Sequence, residues 1–218
     1  MSYVQAKRAD VGELLGGTFA ALKRARKELA IYFGAFFAIG LFAGTSSTLG
    51  GLLAIGAFIG YFVGQYWLYQ AMLRYAGLLQ DERMRVFGLF FMALLLVIPV
   101  LVGLNFLFVP GVILVAKWVM APAYLVAKPR NLFEALGESW RASDGNTVAL
   151  ALTVFVLGLI WVLAFVVLAA IGEIFGGSDE GSFGWLAIHL LPVFLMGLSV
   201  TAYRRLVGDG AELREVFA

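Results

Sequence analysis

Apolar runs long enough to cross a lipid bilayer recur along the chain, and they constrain its fold more than any other feature. A helix needs about 20 apolar residues to span the hydrocarbon core. Six runs approach or reach that length: 29–44, 50–73, 87–108, 110–127, 147–171 and 183–203. Recurring apolar runs of membrane-spanning length indicate transmembrane helices. We predict an all-α integral membrane protein with six transmembrane helices and short interfacial amphipathic helices.

The composition agrees with this class. Hydrophobic residues make up 62% of the 218 residues and charged residues 14%, with a mean hydropathy of +0.92. A soluble protein of this size needs a larger polar surface. We therefore predict one membrane domain over residues 1–218. The chain has no cysteine and one histidine, so we expect no metal site and no cofactor. Nothing in the composition predicts a nucleic-acid partner.

The basic residues are distributed asymmetrically with respect to the six predicted spans. Every Lys and Arg except Lys117 falls on one side, and the opposite side carries only Glu173, Asp179 and Glu180. Basic residues close to span ends mark the cytoplasmic face. The pattern predicts a multi-pass membrane protein with both termini in the cytoplasm.

Residues 1–28 predict an N-terminal interfacial helix. Asp10 followed by Glu13 has the spacing of a capping box, and the segment ends in four basic residues. The apolar side chains that follow share one helical face: Val11, Leu14, Leu15, Phe19 and Leu22. Such a helix contacts the bilayer, with its basic end close to anionic lipid headgroups of the cytoplasmic face.

A second interfacial helix is predicted over residues 131–142, between the fourth and fifth spans. Asn131 and Glu134 repeat the capping-box spacing, and residues 204–218 form a cytoplasmic tail. Six positions of the two interfacial helices correspond at one constant offset: Asp10, Glu13, Leu15, Gly16, Thr18 and Phe19 with Asn131, Glu134, Leu136, Gly137, Ser139 and Trp140. Because each set precedes a span, the match favours a parallel repeat.

The second span carries two regular patterns. Its glycines recur at every fourth position: Gly56, Gly60 and Gly64. Small residues at this spacing let a second helix approach closely, and they predict packing inside the monomer or, alternatively, a homodimer interface. A separate polar-aromatic stripe lies toward the other end of the span: Tyr61, Gln65 and Tyr69.

Lys117 is the most informative single residue. A charge deep within a span costs about 2.5–3.5 kcal/mol on insertion scales, so it usually faces protein or water. By residue count, His189 lies at a similar depth, and Asn105 and Glu173 lie near the same outer level. One hypothesis is an outward polar pocket of these four residues that receives an anionic headgroup or a proton. The alternative is that Lys117 extends toward the interface and pairs with Glu173.

The sequence contains no recognisable catalytic motif. There is no Gly-x-Ser-x-Gly, and the glycine-rich segment 44–51 lacks the Lys-Ser/Thr ending of a phosphate-binding loop. The carboxylates fall in capping positions and loops, which argues against an acid–base pair. We expect a protein without catalytic residues.

One group of residues matches a known pattern: Val109-Pro110-Gly111, Lys117, Ala121-Pro122, Glu134-Ala135-Leu136, Ser139-Trp140 and Gly145-Asn146. In this order the chain resembles the membrane domain of bacterial glycerophosphodiester phosphodiesterases and the stand-alone inner-membrane proteins related to it. The resemblance implies a six-helix membrane fold with an interfacial helix between the fourth and fifth spans. Lys128 departs from the pattern, which usually has an acidic residue there. These 218 residues include no phosphodiesterase barrel, so we expect no hydrolase activity.

Two functions follow as hypotheses. The first is a non-enzymatic inner-membrane protein that binds lipid or a membrane partner protein in envelope maintenance. The alternative is a small transporter or carrier for an amphipathic or anionic solute, which would use the outward pocket around Lys117 and His189. An intramembrane enzyme would need converging carboxylates or a serine beside a base, and the sequence offers no candidates.

Overall fold

A computed structural model describes residues 8–42, 47–80, 86–106, 108–128, 130–174 and 182–208, and the regular elements in these ranges are helices. In chain order they are α1 Val11–Arg24, α2 Arg26–Phe42, α3 Ser47–Tyr75, α4 Val86–Phe106, α5 Phe108–Trp118, α6 Ala121–Ala127, α7 Leu132–Ala142, α8 Thr147–Ile174 and α9 Ser182–Tyr203. A π-helical turn, Arg204–Gly208, continues α9. The first seven residues, Asp179, Glu180 and the tail after residue 208 lie outside the described residues.

Within the described residues, four stretches are long and apolar enough to cross a membrane: Val86–Asn105, Phe108–Ala127, Thr147–Ile174 and Leu186–Val207. They coincide with the third to sixth predicted spans. By length and composition the chain is therefore a multi-pass membrane protein. The first two predicted spans coincide with α2 and α3, which are outside this group of four, so the count of six stays a prediction.

The fourth predicted span is divided into α5 and α6. Val119 and Met120 form a turn between them. Pro122 explains the interruption, because its ring clashes with the carbonyl of Trp118 and its nitrogen cannot donate a hydrogen bond. The helix is therefore fully interrupted within this span.

The predicted N-terminal interfacial helix is α1, and it packs against the bundle. Leu14, Thr18 and Leu22 are buried. A Cβ on Gly17 would lie 2.4 Å from Cγ2 of Thr201, so only glycine permits this approach to α9. Its capping differs from the predicted box: Asp10 accepts a hydrogen bond from the Gly12 N–H at 2.7 Å.

The matching helix α7 has the full capping box. Asn131 Oδ1 accepts the Glu134 N–H at 2.9 Å, and Glu134 Oε2 accepts the Asn131 N–H at 3.1 Å. The two helices bury equivalent positions, Thr18 in α1 and Ser139 in α7, each with no exposed surface. The parallel repeat itself stays a prediction.

The helix ends that carry the basic side chains lie together. The Gln80 N–H donates to the Ala127 carbonyl at 3.0 Å, which joins the loop after α3 to the end of α6. The Tyr75 hydroxyl donates to Glu28 at 2.7 Å, and this bond holds the pKa of Glu28 below its usual value. Arg205 pairs with Glu13. We call this side of the bundle, where α2 begins and α3, α6 and α9 end, the basic end.

Candidate functional site

Lys117 is held by α7 and by the turn that follows it. Its side chain is 12% exposed, and Nζ pairs with the carboxylate of Asp144 and lies 5.1 Å from the centre of the Trp140 ring. The carbonyl of Lys117 accepts a hydrogen bond from Ser139 Oγ at 2.8 Å. This carbonyl is near the broken end of α5, where it lacks a full set of helical partners.

The predicted pairing of Lys117 with Glu173 is therefore wrong, since the partner is Asp144. Lys117 lies nine residues after Phe108 and ten before Ala127, or about 14–15 Å from each end of its span at the helical rise. Because α7 packs against α5 and α6, the turn after α7 lies beside the middle of this span. Lys117 thus faces protein and needs no route to the outer surface.

The turn after α7 also binds the N-terminal segment. Gly145 has φ +79°, a conformation that favours glycine. Asn146 is buried, and its Oδ1 accepts the Ala9 N–H at 2.7 Å. The Asp-Gly-Asn sequence after α7 therefore connects the segment before α1 with α5 and α8.

His189, in α9, lies in a cluster of aromatic rings. It is 3% exposed, and its ring centre lies 4.1 Å from Phe36, 5.4 Å from Tyr61 and 5.8 Å from Tyr32. These rings come from α2 and α3. The position agrees with a histidine whose main role is packing, since its nearest ring partners are apolar or phenolic.

Asn105 and Glu173 are exposed. The Asn105 amide donates to the Leu101 carbonyl of its own helix at 2.8 Å. The described contacts place Lys117 beside the α7–α8 turn and His189 among aromatic rings, and they bring neither residue to Asn105 or Glu173. A ligand or proton site at these four residues stays a prediction.

One glycine of the row in α3 allows a close contact with another described helix. A Cβ on Gly64 would lie 2.8 Å from Cε2 of Tyr32, so this glycine admits the ring from α2. Around Gly56 and Gly60 no described atom lies within 4 Å of such a Cβ. Packing inside the monomer therefore involves Gly64, and the other two leave the homodimer alternative open.

A cavity of about 300 Å³ lies between α3, α4, the α5–α6 break and α9. We call it the lateral cavity, because Ala93 and Val97 line it and are themselves exposed on the outside of α4. Its walls are mainly aliphatic and methionine side chains. The polar-aromatic stripe of the second predicted span supplies one wall: Tyr61, Gln65 and Tyr69.

Prolines explain why space remains there. Pro122 lines the cavity at the α5–α6 break, and Pro192 lines it from within α9. Each proline disturbs regular helix geometry, and Trp118 borders the same opening. The stripe on α3 was visible in the sequence. The helices opposite it were not, since no local pattern says which helices adjoin.

Comparisons with known proteins identify no relative: no family model, no curated protein and no solved structure matches the chain. The resemblance to the membrane domain of glycerophosphodiester phosphodiesterases therefore stays a prediction.

Proposed function

We propose that this chain is a non-enzymatic protein of the bacterial inner membrane that binds a lipid in the lateral cavity, as part of envelope maintenance. In this proposal it crosses the membrane six times, with both termini in the cytoplasm. The single observation that supports lipid binding is an apolar cavity that opens on the outside of the bundle and has one polar wall.

The chemistry of the lateral cavity suits an amphipathic molecule. Its volume of about 300 Å³ is at the lower end of the range for ligand pockets, about 300–1,000 Å³. It therefore suits part of one acyl chain better than a whole phospholipid. Gln65 is 8% exposed, and with the two tyrosines of its wall it offers hydrogen bonds to an ester or hydroxyl group.

The contacts of Lys117 support the lipid-binding hypothesis over the carrier. A carrier would use Lys117 and His189 in one polar pocket. Lys117 is paired with Asp144, and His189 is enclosed by rings of α2 and α3. Neither group lines the lateral cavity.

The test is the amount of lipid that stays bound through purification in mild detergent, measured by native mass spectrometry. Ala93→Phe places a ring at the mouth of the lateral cavity and should lower the retained lipid about fivefold, the equivalent of about 1 kcal/mol. Ala170→Phe is the matched control, because Ala170 is exposed on α8 away from this cavity. The proposal fails if both variants retain lipid equally, or if the wild type retains none.

A further inference from the structure

A second cavity, of about 420 Å³, lies at the basic end between α1, α3 and α9. Small residues of α1 leave room for it: Gly17, Ala20 and Ala21. The two cavities are neighbours along α3: Tyr69 lines the lateral cavity, and Met72, three residues later, lines this one. We call it the arginine cavity.

The charges around this cavity are unbalanced. Three arginines line it, together with one carboxylate: Arg24, Arg204, Arg205 and Glu13. Glu13 pairs with Arg205. Within the described ranges, Arg24 and Arg204 have no ion-pair partner. Because guanidinium groups stay protonated, the lining carries an excess of two positive charges.

A buried hydroxyl in the wall has no partner. Thr201 is 6% exposed and lines the cavity, and its Oγ1 makes no hydrogen bond with any described group. Three other helical threonines, Thr18, Thr147 and Thr153, each donate to the carbonyl four residues earlier. An unpaired buried hydroxyl costs free energy, so a ligand oxygen at this position would be favoured.

We propose that the arginine cavity binds a phosphate-type anion, either a free phosphate group or the headgroup of an anionic lipid. Arginine matches phosphate oxygens with paired N–H donors, and Thr201 adds one hydroxyl. Tyr75 also lines the cavity, but its hydroxyl already donates a hydrogen bond to the carboxylate of Glu28. The anion site uses other residues than the proposed lipid site, and either can fail alone.

The first arm of the test uses inorganic phosphate and isothermal titration calorimetry on the purified full chain. Arg204→Gln should weaken phosphate binding at least about tenfold, because a charge-assisted hydrogen bond is lost. Arg26→Gln is the matched control: Arg26 is exposed at the same end and does not line the cavity, so its effect should stay within about twofold.

A third variant tests the buried hydroxyl. Thr201→Val should weaken phosphate binding about three- to tenfold. The described structure shows no hydrogen bond from Oγ1 for the variant to lose, so its melting temperature should not fall. Reduced binding at unchanged stability supports a ligand contact. Equal phosphate binding by Thr201→Val and the wild type overturns the role of this hydroxyl.

The second arm replaces phosphate with nanodiscs and counts the lipids kept after detergent extraction. If the wild type retains phosphatidylglycerol in preference to phosphatidylcholine, and Arg204→Gln loses this preference, the ligand is a lipid headgroup. Phosphate binding without lipid preference assigns the free ion. The proposal is overturned if the wild type shows neither, or if Arg26→Gln and Arg204→Gln weaken binding equally.

Discussion

Lys117 shows how this fold accommodates a charge near the middle of a span. The ammonium group is paired with Asp144 and lies against the Trp140 ring, so α7 and the turn after it stabilise this charge. The two partners differ in exposure, 12% for the side chain of Lys117 and 64% for that of Asp144. The carboxylate of Asp144 is therefore open on one side, whereas the ammonium group of Lys117 is largely enclosed by protein.

This difference predicts unequal effects of removing each partner. Asp144→Asn should lower the free energy of unfolding by about 1–3 kcal/mol, less than the 3–5 kcal/mol of a fully buried pair. Lys117→Met, which removes the buried charge, should change it by less than about 1 kcal/mol. The double variant should match Lys117→Met. Denaturant titration in detergent measures all three, and equal losses in the two single variants would contradict the predicted difference between them.

The helix α1 illustrates what an element's own sequence can and cannot predict. Its start near Asp10 and its buried face around Leu14 and Leu22 follow from local patterns of capping and apolar spacing. Its contact with α9 does not. That contact depends on the close approach of Gly17 to Thr201. These two residues are far apart in the chain, and neither local sequence indicates that they meet.

The candidate sites show the same difference between local patterns, which the sequence reveals, and contacts between helices, which it does not. A proline such as Pro122 disturbs a helix wherever it occurs in its interior, and the Tyr61–Gln65–Tyr69 stripe predicted a distinct face. The lateral cavity also needs α4 and α9 beside that face, and helix adjacency is a non-local property. For the same reason the sequence marked Lys117 as a charge within a span but could not identify Asp144 as its partner.

Neighbouring glycines of α1 provide a matched test of its packing. A Cβ on Gly17 would lie 2.4 Å from Cγ2 of Thr201, whereas one on Gly16 would meet no described atom within 4 Å. Gly17→Ala should therefore destabilise the protein by about 1–3 kcal/mol, as overpacked cores do. Gly16→Ala should be neutral or stabilising by up to about 1 kcal/mol through helix propensity. Thermal unfolding compares them, and equal shifts would show that α1 is not packed on α9.

The whole molecule has an apolar body and one basic end. Four stretches can cross a membrane, and the ends of α3, α6 and α9 meet the start of α2 at that basic end. The lateral cavity opens along the body, and the arginine cavity lies at the basic end. If that end faces the cytoplasm, the arginine cavity lies on the side of the membrane where anionic lipids and phosphate compounds are available.

Orientation in the membrane is the central claim of the six-span account, and the absence of native cysteine makes it directly measurable. Gln80→Cys places a thiol at the basic end, and Ser178→Cys places one between the fifth and sixth predicted spans. A membrane-impermeant maleimide is added to intact spheroplasts. We expect labelling of Ser178→Cys in intact spheroplasts and of Gln80→Cys only after permeabilisation. Labelling of Gln80→Cys, and not of Ser178→Cys, before permeabilisation would contradict the account.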